Sequence, residues 1–306
     1  MMIYTCTLNP AIDYFVQVDH FKAGELNHVK ADRKMPGGKG INVSRVLKHL
    51  GQTSKCLGFI GGFTGEYIKD KLAEEGIDTD FVAVNGDTRI NVKLKSDTET
   101  EINGVAPQIT GAQLDALFAQ LATLTDKDIL VLSGSVPATL PVTIYKDMIA
   151  KAGVNGAKVI ADTSGEAFTK VVTADTKPFL VKPNHHELGD YFGVTVESVD
   201  DVKKYGRKLV DEGIAHVIVS MGGKGAVYID KDDYLFAPPA KGVLKNSVGA
   251  GDSLVGGFLS EYAVSGDFRK AFRKGAASGS ATAFSVDLCT AEKVEEILPQ
   301  ITVTSI

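Results

Sequence analysis

The apolar and polar positions along the chain sort into two patterns. Residues 3–8, 54–60, 129–133, 158–161 and 216–220, with one more run opening at Phe179, are short and almost continuously apolar, the length of strands. From residue 111 onward they alternate with stretches whose apolar residues recur every three or four positions, at 114–124 and, after Pro137, at 140–152. Further helical patterns cover 64–75, ended by Gly76, and 252–264 and 268–284 near the end of the chain. A strand that is apolar on both faces must be covered on both faces. The order βαβα therefore predicts a mostly parallel sheet between two layers of helices.

A second pattern occupies residues 14–32 and 81–94. Here short pieces alternate strictly, at 15–18, 29–31 and 88–94, and the last run places Arg89, Asn91 and Lys93 on one face and Ile90, Val92 and Leu94 on the other. Such pieces suit a small half-exposed sheet standing apart from the main layer. Its polar face is either a cover over a ligand or the wet side of an edge strand.

Two helices open on glycine-rich loops. In the first, Gly37, Gly38 and Gly40 surround Lys39, and Asn42 follows one turn into a helix whose apolar side carries Ile41, Val43, Val46, Leu47 and Leu50. It is not a Walker loop, because Gly40 and not Ser or Thr follows the lysine. The plain alternative is a loop-to-helix turn with a solvated lysine. In the second, Gly249, Ala250 and Gly251 leave the backbone bare just before Asp252 and an apolar helical run. Free N–H groups at a helix start favour a phosphate, and a carboxylate among them can take a proton from an alcohol. The alternative is that Asp252 only caps the helix.

Three weaker signals accompany these. Asp13 lies in the polar turn 9–13 after the first strand, as a ligand contact or a turn former. Lys182, Asn184 and Glu187 follow the strand opening at Phe179; Pro183 bars a helix before it, so Asn184 and Glu187 form a capping box or supply oxygen ligands, through water, to a Mg²⁺ on a nucleotide. Ser220 ends a strand and is followed by Gly222, Gly223 and Gly225, which can receive a phosphate or ribose. His185 and His186 are consecutive, lack the spacing of a helical zinc pair and are expected at the surface.

Composition narrows the classes. With 306 residues, 44% of them hydrophobic, the chain has enough apolar material for one large domain or two smaller ones. A net charge of −5 without a basic block argues against nucleic acid as a partner. Cys6, Cys56 and Cys289 are odd in number and widely spaced, which indicates neither a disulfide framework nor a zinc site. No 18-residue apolar run occurs, so no membrane partner is expected and the expected location is cytoplasmic.

The ordered set Gly37-Gly-Lys-Gly-Ile-Asn-Val, Val181-Lys-Pro-Asn-His-His-Glu187, Ser220-Met-Gly-Gly-Lys-Gly225 and Val248-Gly-Ala-Gly-Asp-Ser resembles the ribokinase-like (PfkB) carbohydrate kinases over essentially the whole chain. Residues 7–13, 88–94 and 160–167 look most like the 1-phosphofructokinase branch, with the tagatose-6-phosphate kinases a near relative. The resemblance implies a three-layer αβα sandwich as one domain over 1–306, with a small β-sheet lid at 12–36 and 88–105 that often makes a homodimer. It implies ATP-dependent phosphorylation of a ketohexose phosphate, D-fructose 1-phosphate to fructose 1,6-bisphosphate, with Mg²⁺. Asp252 would be the general base and the N–H groups of Gly249, Ala250, Gly251 and Asp252 the anion hole. Asp13, Gly37, Gly38, Asn42 and Ser135 would hold the sugar, with Lys39, Arg89 and Asn103 near its phosphate. Lys182, Asn184, Glu187, Ser220, Gly222, Gly223, Gly225 and Ser247 would line the ATP and Mg²⁺ side. Two other readings stand beside it: a kinase of the same fold for an uncharged sugar or nucleoside, and a non-catalytic sugar-phosphate sensor.

Overall fold

A computed structural model describes residues 1–306. The chain opens with strands β1 (Met2–Thr7), β2 (Ala11–Gln17) and β3 (Ala31–Gly37), then helix α1 (Lys39–His49), β4 (Ser54–Ile60) and α2 (Gly62–Glu74). The short strands β5 (Asp78–Thr79) and β6 (Val82–Ala83) lead to the hairpin β7 (Ile90–Lys95) and β8 (Glu99–Asn103). Regular alternation follows: α3 (Gly111–Leu121), β9 (Asp128–Ser133), α4 (Ile144–Gly153), β10 (Lys158–Asp162), α5 (Gly165–Val172), β11 (Leu180–Val181), α6 (His185–Phe192), α7 (Val199–Asp211) and β12 (His216–Ser220). The last part holds β13 (Ala226–Ile229), β14 (Tyr234–Ala237), α8 (Ala250–Ser265), α9 (Phe268–Ala283), α10 (Ala291–Ile297) and β15 (Thr304–Ser305).

The large sheet runs β15-β14-β13-β12-β11-β10-β9-β1-β4-β5, with β6 also pairing β4. Strands from β5 to β12 in this order are parallel, and β13, β14 and β15 add an antiparallel edge. The continuous apolar runs are explained by two cores, one on each face. Leu130 and Leu132 of β9 and Val159 and Ala161 of β10 join residues of α3, α4, α5, α6 and α7 on one side. Ile129, Val131 and Ile160 join α1, α8, α9 and α10 on the other. This is the ribokinase-like α/β sandwich expected above. The helices α8 and α9 approach closely because their contact is made of small residues: a Cβ on Gly275 would stand 2.7 Å from the Leu254 carbonyl oxygen.

The chain goes from β1 to β4 on one side of β1 and later to β9 on the other, so the order reverses between β1 and β9. In a parallel sheet the loops at such a reversal diverge and leave a crevice beyond the strand ends. Over it stands a separate sheet, β3-β2-β7-β8, with a small apolar cluster of Val16, Val18 and Leu94. Its segments fall within 12–36 and 88–105, apart from the first residue of β2, Ala11, and the last of β3, Gly37. Two readings from the sequence change. Asp13 is not in a turn, because β2 begins at Ala11 and pairs along its length with β3 and β7, leaving Asp13 mid-strand opposite Met35 and Asn91. Three helices lie outside the expected set: α5, only 8 residues long with Phe168, Thr169, Val171 and Val172 aromatic or β-branched, α10, of 7 residues, and the longer α7.

Candidate active site

The crevice and the small sheet enclose a cleft of ≈ 1130 Å³. Of the residues singled out from the sequence, Asp13, Gly38, Lys39, Asn42, Arg89, Asn103, Ser135, Lys182, Asn184, Glu187, Ser220, Gly222, Gly223, Gly225, Ser247, Gly249, Ala250, Gly251 and Asp252 all line it. Gly37 stands just behind: a Cβ there would overlap the Asp13 carboxylate, so glycine lets β3 pass that side chain.

At the far wall, α8 begins at Ala250 with Gly249 as its cap residue, in the left-handed region at φ 79°. No side chain caps this helix end. The backbone N–H groups of Gly251 and Asp252 find no acceptor in the protein, so two donors remain free at the positive end of the helix. Asp252 is not the cap. Its carboxylate, 5% exposed, accepts a 2.8 Å hydrogen bond from Asn42 Nδ2 of α1. Burial, together with the neighbouring Asp162 charge, pushes its pKa up to about 6, against the pull of Lys39, Asn42 and Lys182.

Asp162 directly follows the apolar run 158–161 and is not among the site residues expected from the sequence. In the fold it closes β10 at the cleft floor, is 1% exposed, and places Oδ1 3.3 Å from both Lys39 Nζ and Lys182 Nζ. Burial pushes its pKa up, but the two lysines outweigh that and hold it below the ordinary value. The Asp162 charge in turn raises the Lys39 ammonium well above its ordinary range. Lys39 is therefore not a solvated loop residue. It is the first residue of α1 and is turned inward, with its side chain 40% exposed.

From the small sheet, Asn91 Nδ2 donates to Asp13 Oδ1 at 3.0 Å, and burial raises the Asp13 pKa against that bond and against Lys93 and Arg89. Arg89 Nη2 donates to the Asn9 carbonyl at 3.0 Å, while its Nε is buried without a partner. Asn9 in turn reaches Ser135 across the reversal point, Nδ2 to Oγ at 3.3 Å. The polar side of the alternation in β7 thus faces the cleft, and Asn9, Asn91, Lys93 and Asp162 join the site although the sequence did not single them out as its members. The signal was available for Asn91 and Lys93, which share the Arg89 face.

On the opposite flank Asn184 caps α6 with Glu187 as its reciprocal partner: Asn184 Oδ1 accepts from Glu187 N at 2.9 Å and Glu187 Oε2 accepts from Asn184 N at 2.7 Å. The capping box is real, and it leaves Glu187 Oε1 uncommitted. No three acidic, histidine or cysteine side chains gather into a metal cage. That donor set suits a hard cation held mainly by phosphate oxygens and water. His186 is exposed, as expected, while His185 is half-buried with its Nδ1 buried; both border the cleft, with ring centroids 3.9 Å apart. No helix is long and apolar enough to cross a membrane.

The model of the pfkB family of carbohydrate kinases matches residues 6–294. A 1-phosphofructokinase of Bacillus subtilis (strain 168) is 52% identical over 303 residues, covering 99% of this chain and 99% of that protein. A D-tagatose-1-phosphate kinase of Bacillus licheniformis is 36% identical over 304 residues, again with 99% of each covered. Among solved structures, the phosphofructokinase-2 of Escherichia coli in complex with substrates and products superposes with a TM-score of 0.92 at 29% identity, covering 98% of this chain and 99% of that one.

The raised pKa of Asp252 makes a stability statement. Between its unfolded value of 3.8 and about 6 the folded state binds the extra proton, so stability falls as pH rises through that window and the cost is complete above it. Asp252→Asn removes a penalty of about 3 kcal/mol. The variant is expected to melt at a higher temperature than the parent at pH 8, with the margin closing toward pH 4. A variant less stable than the parent at pH 8 would contradict this account of Asp252.

Proposed function

We propose that this chain, which belongs to the pfkB family of carbohydrate kinases, moves the terminal phosphoryl group of ATP onto the 6-hydroxyl of D-fructose 1-phosphate, giving fructose 1,6-bisphosphate. The observation that carries the reading is the meeting of one buried carboxylate, two unpaired N–H donors at a helix start and two ammonium groups in one cleft. Phosphoryl transfer asks for a base, in-line positioning and neutralisation of charge, and little else. The choice of fructose 1-phosphate rests on the end-to-end relative named for that substrate. The relative named for D-tagatose 1-phosphate supports that ketose phosphate as a second reading.

In this mechanism Asp252 accepts the proton of the sugar hydroxyl as its oxygen bonds to the γ-phosphorus, and the bond to the bridging oxygen of ADP breaks. A pKa near 6 leaves the carboxylate ionised at neutral pH yet more basic than an ordinary aspartate. Of the expected hole Gly249, Ala250, Gly251 and Asp252, the Ala250 N–H is held by the Ser247 carbonyl, so the free N–H groups of Gly251 and Asp252 receive the charge on the transferring group, and Asn42 orients the base. Asp13, Gly37, Gly38 and Ser135 hold the sugar. Arg89, with an unused Nε–H, and Asn103 meet the phosphate it already carries, while Lys39 lies with Lys182 at the transferring group. Lys182, Asn184, Glu187, Ser220, Gly222, Gly223, Gly225 and Ser247 line the nucleotide flank. Glu187 Oε1 and Asn184 would hold Mg²⁺ through water, where the ion neutralises phosphate oxygens.

Residues 1–306 act as one domain in this reading, with 12–36 and 88–105 as a lid. The lid carries exposed Ile90 and Ile102, an apolar surface through which two copies pair.

With ATP and Mg²⁺, fructose 1-phosphate is expected to be the best acceptor in a panel with tagatose 1-phosphate, fructose 6-phosphate, tagatose 6-phosphate, ribose and adenosine. A preference for ribose or adenosine would overturn the proposal. Arg89→Ala is expected to raise KM for the sugar phosphate about ten- to a hundredfold, the value of one charge-assisted hydrogen bond. The KM for ATP should stay level, and Lys39→Ala should disturb KM for the sugar less. An unchanged sugar-phosphate KM in Arg89→Ala would leave that residue a structural role only, its bond to the Asn9 carbonyl.

A further inference from the structure

Two ammonium groups share one wall of the cleft. Lys39 Nζ and Lys182 Nζ each lie 3.3 Å from the same oxygen, Asp162 Oδ1. They must then stand within about 7 Å of one another, where like charges in a poorly hydrated site repel. The lysines come from different elements: Lys39 begins α1, and Lys182 follows β11 and is 4% exposed. Asp162 is the carboxylate in direct ion-pair contact with both ammonium groups; the Asp252 charge also attracts both, without an ion pair to either.

We propose that Asp162 is a positioning residue that clamps the Lys39 and Lys182 ammonium groups side by side, beside the Asp252 carboxylate, for the transferring phosphoryl group. The inference rests on the phosphoryl-transfer reading above. Three observations support it. Asp162 is the last residue of a parallel strand paired on both sides, in register with Ser133, so its carboxylate is carried at the end of a central strand of the sheet. Its other oxygen, Oδ2, is 3.5 Å from Ser133 Oγ, and its backbone carbonyl accepts from Gly134 N at 3.0 Å, which fixes the carboxylate against the neighbouring strand end. Lys182 Nζ lies against the anion-binding turn itself, since a Cβ on Gly251 would stand 3.2 Å from it.

The charges then balance before substrate arrives: two carboxylates against two ammonium groups. The incoming phosphoryl oxygens meet a pair of cations already paired with one fixed anion, so the cations need no reorganisation during transfer. Asp162 touches neither substrate in this scheme; it works through the lysines. Loss of the clamp leaves binding of the sugar and of the nucleotide base to other contacts, and the effect falls on the transfer step.

The test uses the full chain and its isosteric variant Asp162→Asn, alone and combined with Lys39→Ala. Asp162→Asn is expected to lower kcat roughly a hundredfold while both KM values stay within about threefold. In the Lys39→Ala background the same change should cost much less, because one of the clamped groups is gone. A second arm needs no activity: acetylation of Lys39 at pH 9 by an N-hydroxysuccinimide ester, read by peptide mass spectrometry, should be severalfold faster in Asp162→Asn than in the parent. A parent that phosphorylates no acceptor would sink the kinase reading, and the acetylation arm would still decide the clamp. Full kcat in Asp162→Asn, an equal loss in both backgrounds, or unchanged Lys39 acetylation would each overturn the proposal.

Discussion

The arrangement of this protein turns on holding two buried aspartates, a buried lysine and the half-buried Lys39 together in one corner of a fold. A buried carboxylate without a partner costs several kcal/mol, and so does a buried ammonium. Asp162 meets this by pairing with Lys39 and Lys182; Asp252 meets it only in part and keeps a raised affinity for its proton. The asymmetry is useful. One carboxylate is held ionised and structural while the other stays basic, and the difference arises from the number of cations in contact with each.

Everything needed for that corner converges because the sheet is parallel and its order reverses beside β1. The ends of β9, β10, β11 and β12 and the starts of α1, α6 and α8 all reach the same edge. Parallel strands place their carboxyl ends together, and the helices that follow bring their positive ends to the same place. The small sheet then adds the residues that the edge lacks, Asp13 with Asn91 and Arg89 with Asn9. A tight contact of small residues between α8 and α9 sets the opposite wall, where Ala276, Gly279, Ser280 and Ala283 border the cleft.

Much of this was legible in the sequence because it is local. Apolar runs of strand length predicted the parallel sheet and its two cores; the glycines before Asp252 and around Lys39 predicted two open helix starts; Asn184 and Glu187 predicted their own capping box. What escaped notice depends on pairings far apart in the chain. Asp162 meets Lys39 across 123 positions, and no spacing rule connects them. Asp13 read as a turn residue because Asn9 and Pro10 precede it, yet pairing with β3 and β7 carries the strand back to Ala11. His185 looked superficial because two adjacent histidines on a helix suggest no ligand pair, and only the packing of α6 beside the end of β12 brings both to the cleft.

The central claim is that Asp252, held by Asn42 at the open start of α8, removes the proton from the acceptor hydroxyl. Steady-state kinetics of Asp252→Asn with ATP and fructose 1-phosphate test it most directly. The account predicts a loss of roughly 10² to 10⁴-fold in kcat with both KM values near those of the parent. Turnover close to the parent's in that variant would contradict it.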